Sequence, residues 1–163
     1  LINIKISKLK LFMKKIILFF ISTLLLLTIT GCGINKKPIT AEKFKSKMTQ
    51  KGYQIYDISG EYAGKGAKAV LIAKKDGYQI EFYVTENKDY AVGSYNLNKE
   101  KLEKTKGNNM VETQKSVGNV SKYTLKGNSR YKVVSRVGNT FIYVNVPGSK
   151  TEEVKGVLKE LGY

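Results

Sequence analysis

Three stretches of the chain carry apolar residues at helical spacing, and the residues at their ends indicate where each helix begins. The first helix is predicted over residues 41–51, with Thr40 as its N-cap. The second is predicted over residues 88–104, although it contains several poor helix formers. Ser149 and Glu152 have the spacing of a capping box and predict the start of a third helix, whose apolar stripe runs from Val154 to Leu161.

Between these helices lie segments rich in β-branched and aromatic residues, which is typical of strands. Asp76-Gly77 and Gly138-Asn139 each predict a two-residue hairpin turn. Both turns place apolar residues of the neighbouring strands on one face of the sheet, so turn chemistry and hydrophobic pattern agree. Strands are predicted over residues 53–59, 68–75, 78–85, 110–116, 121–126, 131–137 and 141–146.

Two lengths are possible for the turn before the sixth predicted strand, and the length decides which side chains share a face. A three-residue loop over residues 127–129 places Leu125 beside Tyr131. A two-residue loop would instead place Leu125 opposite Lys132. We expect the three-residue loop, because it pairs an apolar residue with an aromatic one.

The order of elements is α-βββ-α-ββββ-α. Runs of hairpin-linked strands between helices are typical of the α+β class. We therefore expect an antiparallel sheet of about six or seven strands with the three helices packed on one face. A further hypothesis is that the domain is a degenerate two-fold repeat of a helix followed by a meander, although no residue-level identity establishes it.

A short cationic start and an uncharged apolar run precede this domain. Lys14 and Lys15 follow Met13, and residues 16–29 then run for fourteen positions without a charge. As a helix this run would rise roughly 21 Å, which is short of the roughly 30 Å hydrocarbon core. Residues 13–31 are therefore predicted to be a signal peptide. Residues 1–12 begin without Met, and we interpret them as an over-extended start.

The apolar run ends at Ile29-Thr30-Gly31-Cys32, an aliphatic residue and two small ones before a cysteine. This order resembles the lipobox of bacterial type II signal peptides. The resemblance implies transfer of diacylglycerol to the Cys32 sulfur, cleavage before Cys32, and an N-acyl lipid on the new terminus. We accordingly expect a lipoprotein anchored to the cell membrane on its extracytoplasmic face, since several lipid chains together hold a protein stably. Residues 32–39 would then be the lipidated cysteine and its tether, and residues 40–163 a single exported domain.

Composition narrows the chemistry that the exported part can perform. The chain has no His, and its single Cys is Cys32. Disulfides, a Cys/His zinc site and a His-dependent Ser or Cys nucleophile are thereby excluded from the exported part. Acidic residues are few and scattered, so we expect no metal site and no cofactor beyond the lipid on Cys32.

Charge points to anionic partners. Of the 29 basic residues, five lysines precede Cys32, which leaves 24 against 13 acidic residues in the exported part. Residues 113–151 contain seven basic residues and no acidic one. Cations interleaved with aromatic rings suit an anionic polymer, whereas the simpler interpretation is a solvated strand surface. On the registers above, the candidate binding face comprises Lys122, Lys126, Arg130, Lys132, Arg136, Phe141 and Tyr143.

Two functional hypotheses of different class result. The first is a non-enzymatic binding or interaction module for an anionic envelope polymer or a partner protein. Intracellular nucleic acid is not an expected partner, because the anchor keeps the domain outside the cytoplasm. The second is a small cell-surface hydrolase with a Ser/Lys or carboxylate site, for which no spacing selects catalytic residues. Asp57 with Glu61 and Glu152 with Glu153 are acidic pairs that local helix and turn chemistry explains.

Overall fold

The computed structural model describes residues 35–163, so the predictions that concern the start of the chain, the signal peptide and Cys32 lie outside the described residues. Residues Gly33–Tyr163 form one compact unit. Within residues 35–163, no helix is sufficiently long and apolar to cross a membrane.

A single antiparallel sheet organises the described part of the chain. Its spatial order is β1-β2-β3-β7-β6-β5-β4, so two meanders meet where β3 pairs with β7. The α+β class and the predicted order of elements are confirmed. The strands are β1 (Gln54–Asp57), β2 (Ala67–Lys75), β3 (Tyr78–Thr85), β4 (Val111–Val117), β5 (Val120–Lys126), β6 (Arg130–Val137) and β7 (Thr140–Pro147).

Within residues 35–163, three α-helices flank the sheet: α1 (Ala41–Gln50), α2 (Lys88–Glu103) and α3 (Thr151–Leu161). Thr40 caps α1 as predicted, because its hydroxyl accepts a hydrogen bond from the Lys43 amide at 3.2 Å.

The predicted capping box at the start of α3 is wrong. Ser149 lies in a short 3₁₀ turn (Gly148–Lys150), and Lys150 occupies the N-cap position without a side-chain cap. The hydroxyl of Thr151 instead donates to the Gly148 carbonyl at 2.6 Å, while Glu152 pairs with Lys155 at 2.9 Å. The added 3₁₀ turn moves the helix start past Ser149.

The main core lies on what we call the first face of the sheet, beneath α1 and α3. The rings of Phe44 in α1 and Phe82 in β3 stack with their centroids 4.5 Å apart. Leu158 of α3 and Val144 of β7 are fully buried in the same cluster. Burial of these side chains is the main stabilising contribution to the domain.

The second face of the sheet carries a smaller core beneath α2, so the expectation that all three helices pack on one face is wrong. Tyr95 and Leu102 of α2 pack with Leu125 and Phe141 of the sheet. The central strands have apolar residues at consecutive positions, for example Val133 in the first cluster and Val134 in the second. A strand with this pattern is buried on both faces.

Two of the three predicted hairpin registers are confirmed. Across the Asp76-Gly77 turn, Leu71 pairs with Phe82, and both turn residues have the positive φ that a type I′ turn requires. Across the Gly138-Asn139 turn, Val133 pairs with Val144.

The predicted register between β5 and β6 is wrong by one residue. Leu125 pairs with Lys132, and the Gly127 amide donates to the Arg130 carbonyl at 2.9 Å, which closes a two-residue loop at positions 128–129. The rejected alternative is therefore the observed one. In the observed register the apolar side chains of β5, Tyr123 and Leu125, lie on the second face, where α2 covers them.

Candidate functional site

The seven residues of the predicted basic face do not share one surface. Lys122 and Lys126 of β5 lie on the first face, because they pair with Ser135 and Tyr131 of β6. A shift of one residue moves every side chain of a strand to the other face, which explains the error. The remaining five residues lie on the second face, and they are Arg130, Lys132, Arg136, Phe141 and Tyr143.

Two of these five are buried beneath α2. Arg136 is 5% exposed and Phe141 is 4% exposed. The Arg136 guanidinium donates to the Gly138 carbonyl at 3.1 Å and to the Ser121 hydroxyl at 3.2 Å. Burial lowers the pKa of Arg136, because the charged guanidinium loses contact with water. Among the described residues, no carboxylate lies within 4.0 Å of it. Neither side chain can contact a polymer from its observed position.

Lys132 is hydrogen-bonded to a residue at the end of α2. Its ammonium donates to the hydroxyl of Thr105 at 2.7 Å, just beyond the last residue of the helix. Arg130 and Tyr143 therefore remain as the members of the predicted face that border open space on the second face.

That open space is a polar groove at the end of the sheet that carries the Asp76-Gly77 turn. Helix α2 contacts β3, β6 and β7 and leaves the turn end of the second face uncovered. The groove has a volume of about 670 Å³. Five strands contribute polar side chains to its lining, among them Gln54, Lys74, Gln79, Glu81, Arg130, Tyr143 and Asn145.

Arg130 is held in the groove by Asn145. Its Nε and Nη2 atoms donate to the Asn145 side-chain oxygen at 2.9 and 2.7 Å, and Nη2 also donates to the Asn145 carbonyl at 3.1 Å. These bonds engage Nε and Nη2 and fix the plane of the guanidinium, so the two N–H groups of Nη1 remain to donate to a ligand carboxylate.

Lys74 provides the second cation. Its ammonium lies 4.8 Å from the centre of the Tyr56 ring, a cation–π geometry. Within residues 35–163, neither Lys74 nor Arg130 has a carboxylate within 4.0 Å. Both positive charges are therefore free to attract an anion.

Glu81 supplies a fixed acceptor between these cations. Its carboxylate accepts hydrogen bonds from the Gln79 amide at 2.8 Å and the Tyr83 hydroxyl at 2.7 Å. Burial raises the pKa of the Tyr83 hydroxyl, and its bond to Glu81 raises it further. Tyr83 itself is held by stacking on Phe141, with ring centroids 4.3 Å apart. The carboxylate thus has an orientation set by its neighbours.

The other carboxylate on the lining of the groove is Asp76, and it is paired with Lys150 at 3.0 Å. A glycosidase needs two carboxyl groups that face one scissile bond, one of them shielded so that its pKa rises. The observed arrangement instead engages each carboxylate with its own local partner. No group of three or more potential metal ligands occurs among residues 35–163.

Comparison with protein-family models, with curated proteins and with solved structures finds no match for this chain.

Sequence reasoning did not identify the groove, because its side chains are far apart in the chain. One signal was present: the Asp76-Gly77 turn already pairs Lys74 with Gln79, and Ile72 with Glu81, on the second face. Polar residues at the turn end of these strands, on a face that is otherwise apolar, indicate that α2 does not cover this end.

Proposed function

We propose that this protein is a lipid-anchored, extracytoplasmic binding module that uses the polar groove to bind an acidic, hydroxyl-rich polymer of the cell envelope. The observation that carries the proposal is the presence of two cations without carboxylate partners, Lys74 and Arg130, on one groove with a fixed acceptor, Glu81. The cations of the groove match ligand carboxylates, and its carboxylate and amide groups match ligand hydroxyls.

The anchor follows from the lipobox at Ile29, Thr30, Gly31 and Cys32. Diacylglycerol on the Cys32 sulfur and a fatty acyl group on its amine would hold the domain at the outer surface of the cell membrane. There the domain would meet envelope polymers.

Each polar group in the groove has a distinct part in the proposed binding. Arg130 donates to a ligand carboxylate through its Nη1 atom, and Lys74 attracts a second anionic group. Glu81 accepts a hydrogen bond from a ligand hydroxyl. The side-chain amides of Gln54 and Gln79 both donate and accept, so they suit hydroxyl groups in either direction.

We propose binding rather than hydrolysis because the groove is open and its two carboxylates are already engaged. Asp76 is paired with Lys150, and Glu81 accepts bonds from Gln79 and Tyr83. A site built for general acid catalysis would enclose one carboxyl group in apolar surroundings.

A protein partner is a second candidate, and a separate surface favours it. Tyr90 and Leu97 lie one above the other on α2 and are 50% and 52% exposed. Between them Gly93 and Ser94 line a shallow hollow of about 450 Å³. Exposed apolar side chains around such a hollow are typical of protein contacts. Leu97→Asp is expected to abolish capture of a protein partner and to leave polymer binding unchanged, as calorimetry and pull-down would show.

The polymer proposal is tested by calorimetric titration of residues 33–163 with polygalacturonate, a polysaccharide that carries a carboxylate on each sugar. Neutral dextran serves as the uncharged comparison. We expect polygalacturonate to bind and dextran not to bind. The groove variant, with Lys74→Glu and Arg130→Glu together, should weaken binding about tenfold or more, because it removes two charge-assisted contacts.

A matched variant controls for net charge. Lys101 and Lys159 are exposed on α2 and α3, and Lys101→Glu with Lys159→Glu changes the total charge by the same amount. This variant should bind polygalacturonate within about twofold of the unmodified domain, since charges beyond a Debye length are screened. Equal losses in both variants would refute the groove as the binding site.

A further inference from the structure

The segment that precedes α1 is pinned to the domain at Lys36. The Lys36 amide donates to the side-chain oxygen of Asn119 at 2.9 Å, and the Asn119 side-chain amide donates to the Lys36 carbonyl at 2.8 Å. The Lys36 ammonium also donates to the Gly162 carbonyl at 3.1 Å, beyond the end of α3. Backbone and side chain of one residue are thus bound to two separate parts of the domain.

The next residues lie across the end of the sheet. Pro38 packs on Gly138 in the β6–β7 turn so closely that a Cβ at Gly138 would lie 2.7 Å from the Pro38 ring. Ile39 then packs against the main core. The chain is therefore held from Lys36 onward, and only three residues separate Cys32 from Lys36. Fully extended, this stretch spans about 14 Å at most.

A lipid on Cys32 would consequently keep this end of the domain close to the membrane. We propose that the surface around Lys36 is a docking site for anionic phospholipid headgroups, which orients the domain on the membrane. This inference rests on the lipid anchor of the proposed function but not on the ligand of the groove. We call the surface the tether patch, and it comprises Lys36, Lys115, Val117 and Lys122.

The charge of the tether patch fits an anionic surface. Lys115 and Lys122 are directly paired across β4 and β5, so their side chains lie on the same face. Burial lowers the pKa of Lys122, and the nearby positive charge of Lys36 lowers it further. Among the described residues, none of the three lysines of the patch has a carboxylate within 4.0 Å. Such a cluster of like charges is relieved by an external anion.

An apolar side chain accompanies these cations. Val117 lies at the end of the edge strand β4, on the same face as Lys115, and is 39% exposed. Basic residues beside an exposed apolar one favour the interface of a bilayer, where the cations meet headgroups and the apolar group lies deeper.

The docked orientation presents the groove away from the membrane. Strand β3 runs from Tyr78, on the lining of the groove, to Thr85, which bonds the Asn139 carbonyl in the β6–β7 turn. Eight residues of strand span about 26 Å. The tether patch and the groove therefore lie at opposite ends of the strands, and docking at one end exposes the other to the envelope.

The first test is sedimentation of unacylated residues 33–163 with vesicles, which separates the patch from the anchor. This unit contains both cores and so folds without the preceding residues. At about 0.1 M salt, where the Debye length is about 10 Å, we expect binding to phosphatidylglycerol vesicles and none to phosphatidylcholine vesicles. Lys36→Glu with Lys115→Glu should weaken binding about tenfold or more, because each basic residue near an anionic bilayer strengthens binding about fivefold.

The groove variant, Lys74→Glu with Arg130→Glu, is the matched control for charge. It should bind phosphatidylglycerol vesicles within about twofold of the unmodified domain. Equal losses in the two variants would overturn the tether patch in favour of attraction by net charge alone, and so would an absence of binding to phosphatidylglycerol.

The second test measures orientation in the acylated full chain on phosphatidylglycerol vesicles. Cys32 is blocked by lipid there, so a single introduced cysteine can carry a fluorophore. Val117→Cys marks the patch, and Val111→Cys marks the other end of the same exposed strand, about 20 Å away. A headgroup quencher should quench the label at 117 several times more strongly than the label at 111. Equal quenching would overturn the docked orientation. Loss of membrane retention of the full chain would instead refute the anchor.

Discussion

Asn119 binds both backbone polar groups of Lys36 with its single side-chain amide. Asn119 lies between β4 and β5, and Lys36 lies 83 positions earlier in the chain. The two bonds resemble those between paired residues of neighbouring β-strands, with the Asn119 side chain in place of the second strand's backbone. Because the Asn119 carbonyl also accepts from the Gly138 amide at 2.9 Å, one residue joins two turns of the sheet to the tether.

Asn119→Ala should release the tether without unfolding the domain. Both bonds are exposed, so we expect a loss of about 1 kcal/mol in the free energy of unfolding. Hydrogen exchange at the Lys36 amide should accelerate markedly, and amides in β6 should be unaffected. Asn108→Ala, in an exposed loop at the other end of the sheet, is the control and should change neither quantity. Unchanged exchange at Lys36 would show that Asn119 does not hold the tether.

Cys32→Ser should abolish lipid attachment, because the serine oxygen does not replace the cysteine sulfur in the expected modification. Detergent phase separation and labelling with radioactive fatty acid measure the outcome. The variant should leave the detergent phase and carry no label, whereas Thr30→Ser, which keeps a small residue, should behave like the unmodified chain. A Cys32→Ser chain that still partitions with detergent would refute the anchor.

Arg136→Glu should destabilise the domain strongly, because it places a carboxylate under α2 where the guanidinium now lies. We expect a loss of about 3 kcal/mol in the free energy of unfolding in urea. Lys132→Glu on the same strand should cost less than about 1 kcal/mol, since Lys132 reaches the surface at Thr105. Similar small losses for both would mean that α2 does not cover Arg136.

Asp57 should make stability depend on pH in acid. Its carboxylate accepts bonds from the Lys45 ammonium at 2.7 Å and from Ser59, and these bonds lower its pKa to about 2. A pKa lowered by folding stabilises the native state above the ordinary pKa, and the stabilisation disappears as the pH falls towards 2. The side chain is 46% exposed, so solvent screening limits the effect to about 1 kcal/mol or less.

Urea unfolding from pH 2 to pH 6 measures this effect. The difference in unfolding free energy between the unmodified domain and Asp57→Asn should be largest at pH 6, fall progressively below about pH 4, and be mostly lost at pH 2. Lys45→Met should reduce the pH-dependent part, because the bond from the ammonium is the largest cause of the lowered pKa. Parallel stability profiles for all three proteins would contradict the prediction.

Local features of the sequence were sufficient for the elements and for two of the hairpin registers. Thr40 caps α1, and the Asp76-Gly77 turn sets the pairing of Leu71 with Phe82. In each case the decisive interaction joins residues a few positions apart, so turn and cap chemistry determine it without reference to the rest of the fold.

The candidate site depended on information that is not local. Leu125 can lie opposite Lys132 because α2 covers Leu125 on the second face. This helix is distant from Leu125 in the chain, so the local sequence does not indicate its position. The same helix buries Arg136 and leaves the ends of five strands open as the groove.

By itself, the sequence determined the order of helices and strands, the tight turns and the lipobox pattern, because each depends on neighbouring residues. Only the tertiary structure decided which face each strand presents to which helix, and with it the place of the groove and of the tether patch. The physical reason is that side chains alternate along a strand, so a shift of one residue is locally almost neutral and is settled by the surfaces that pack against it.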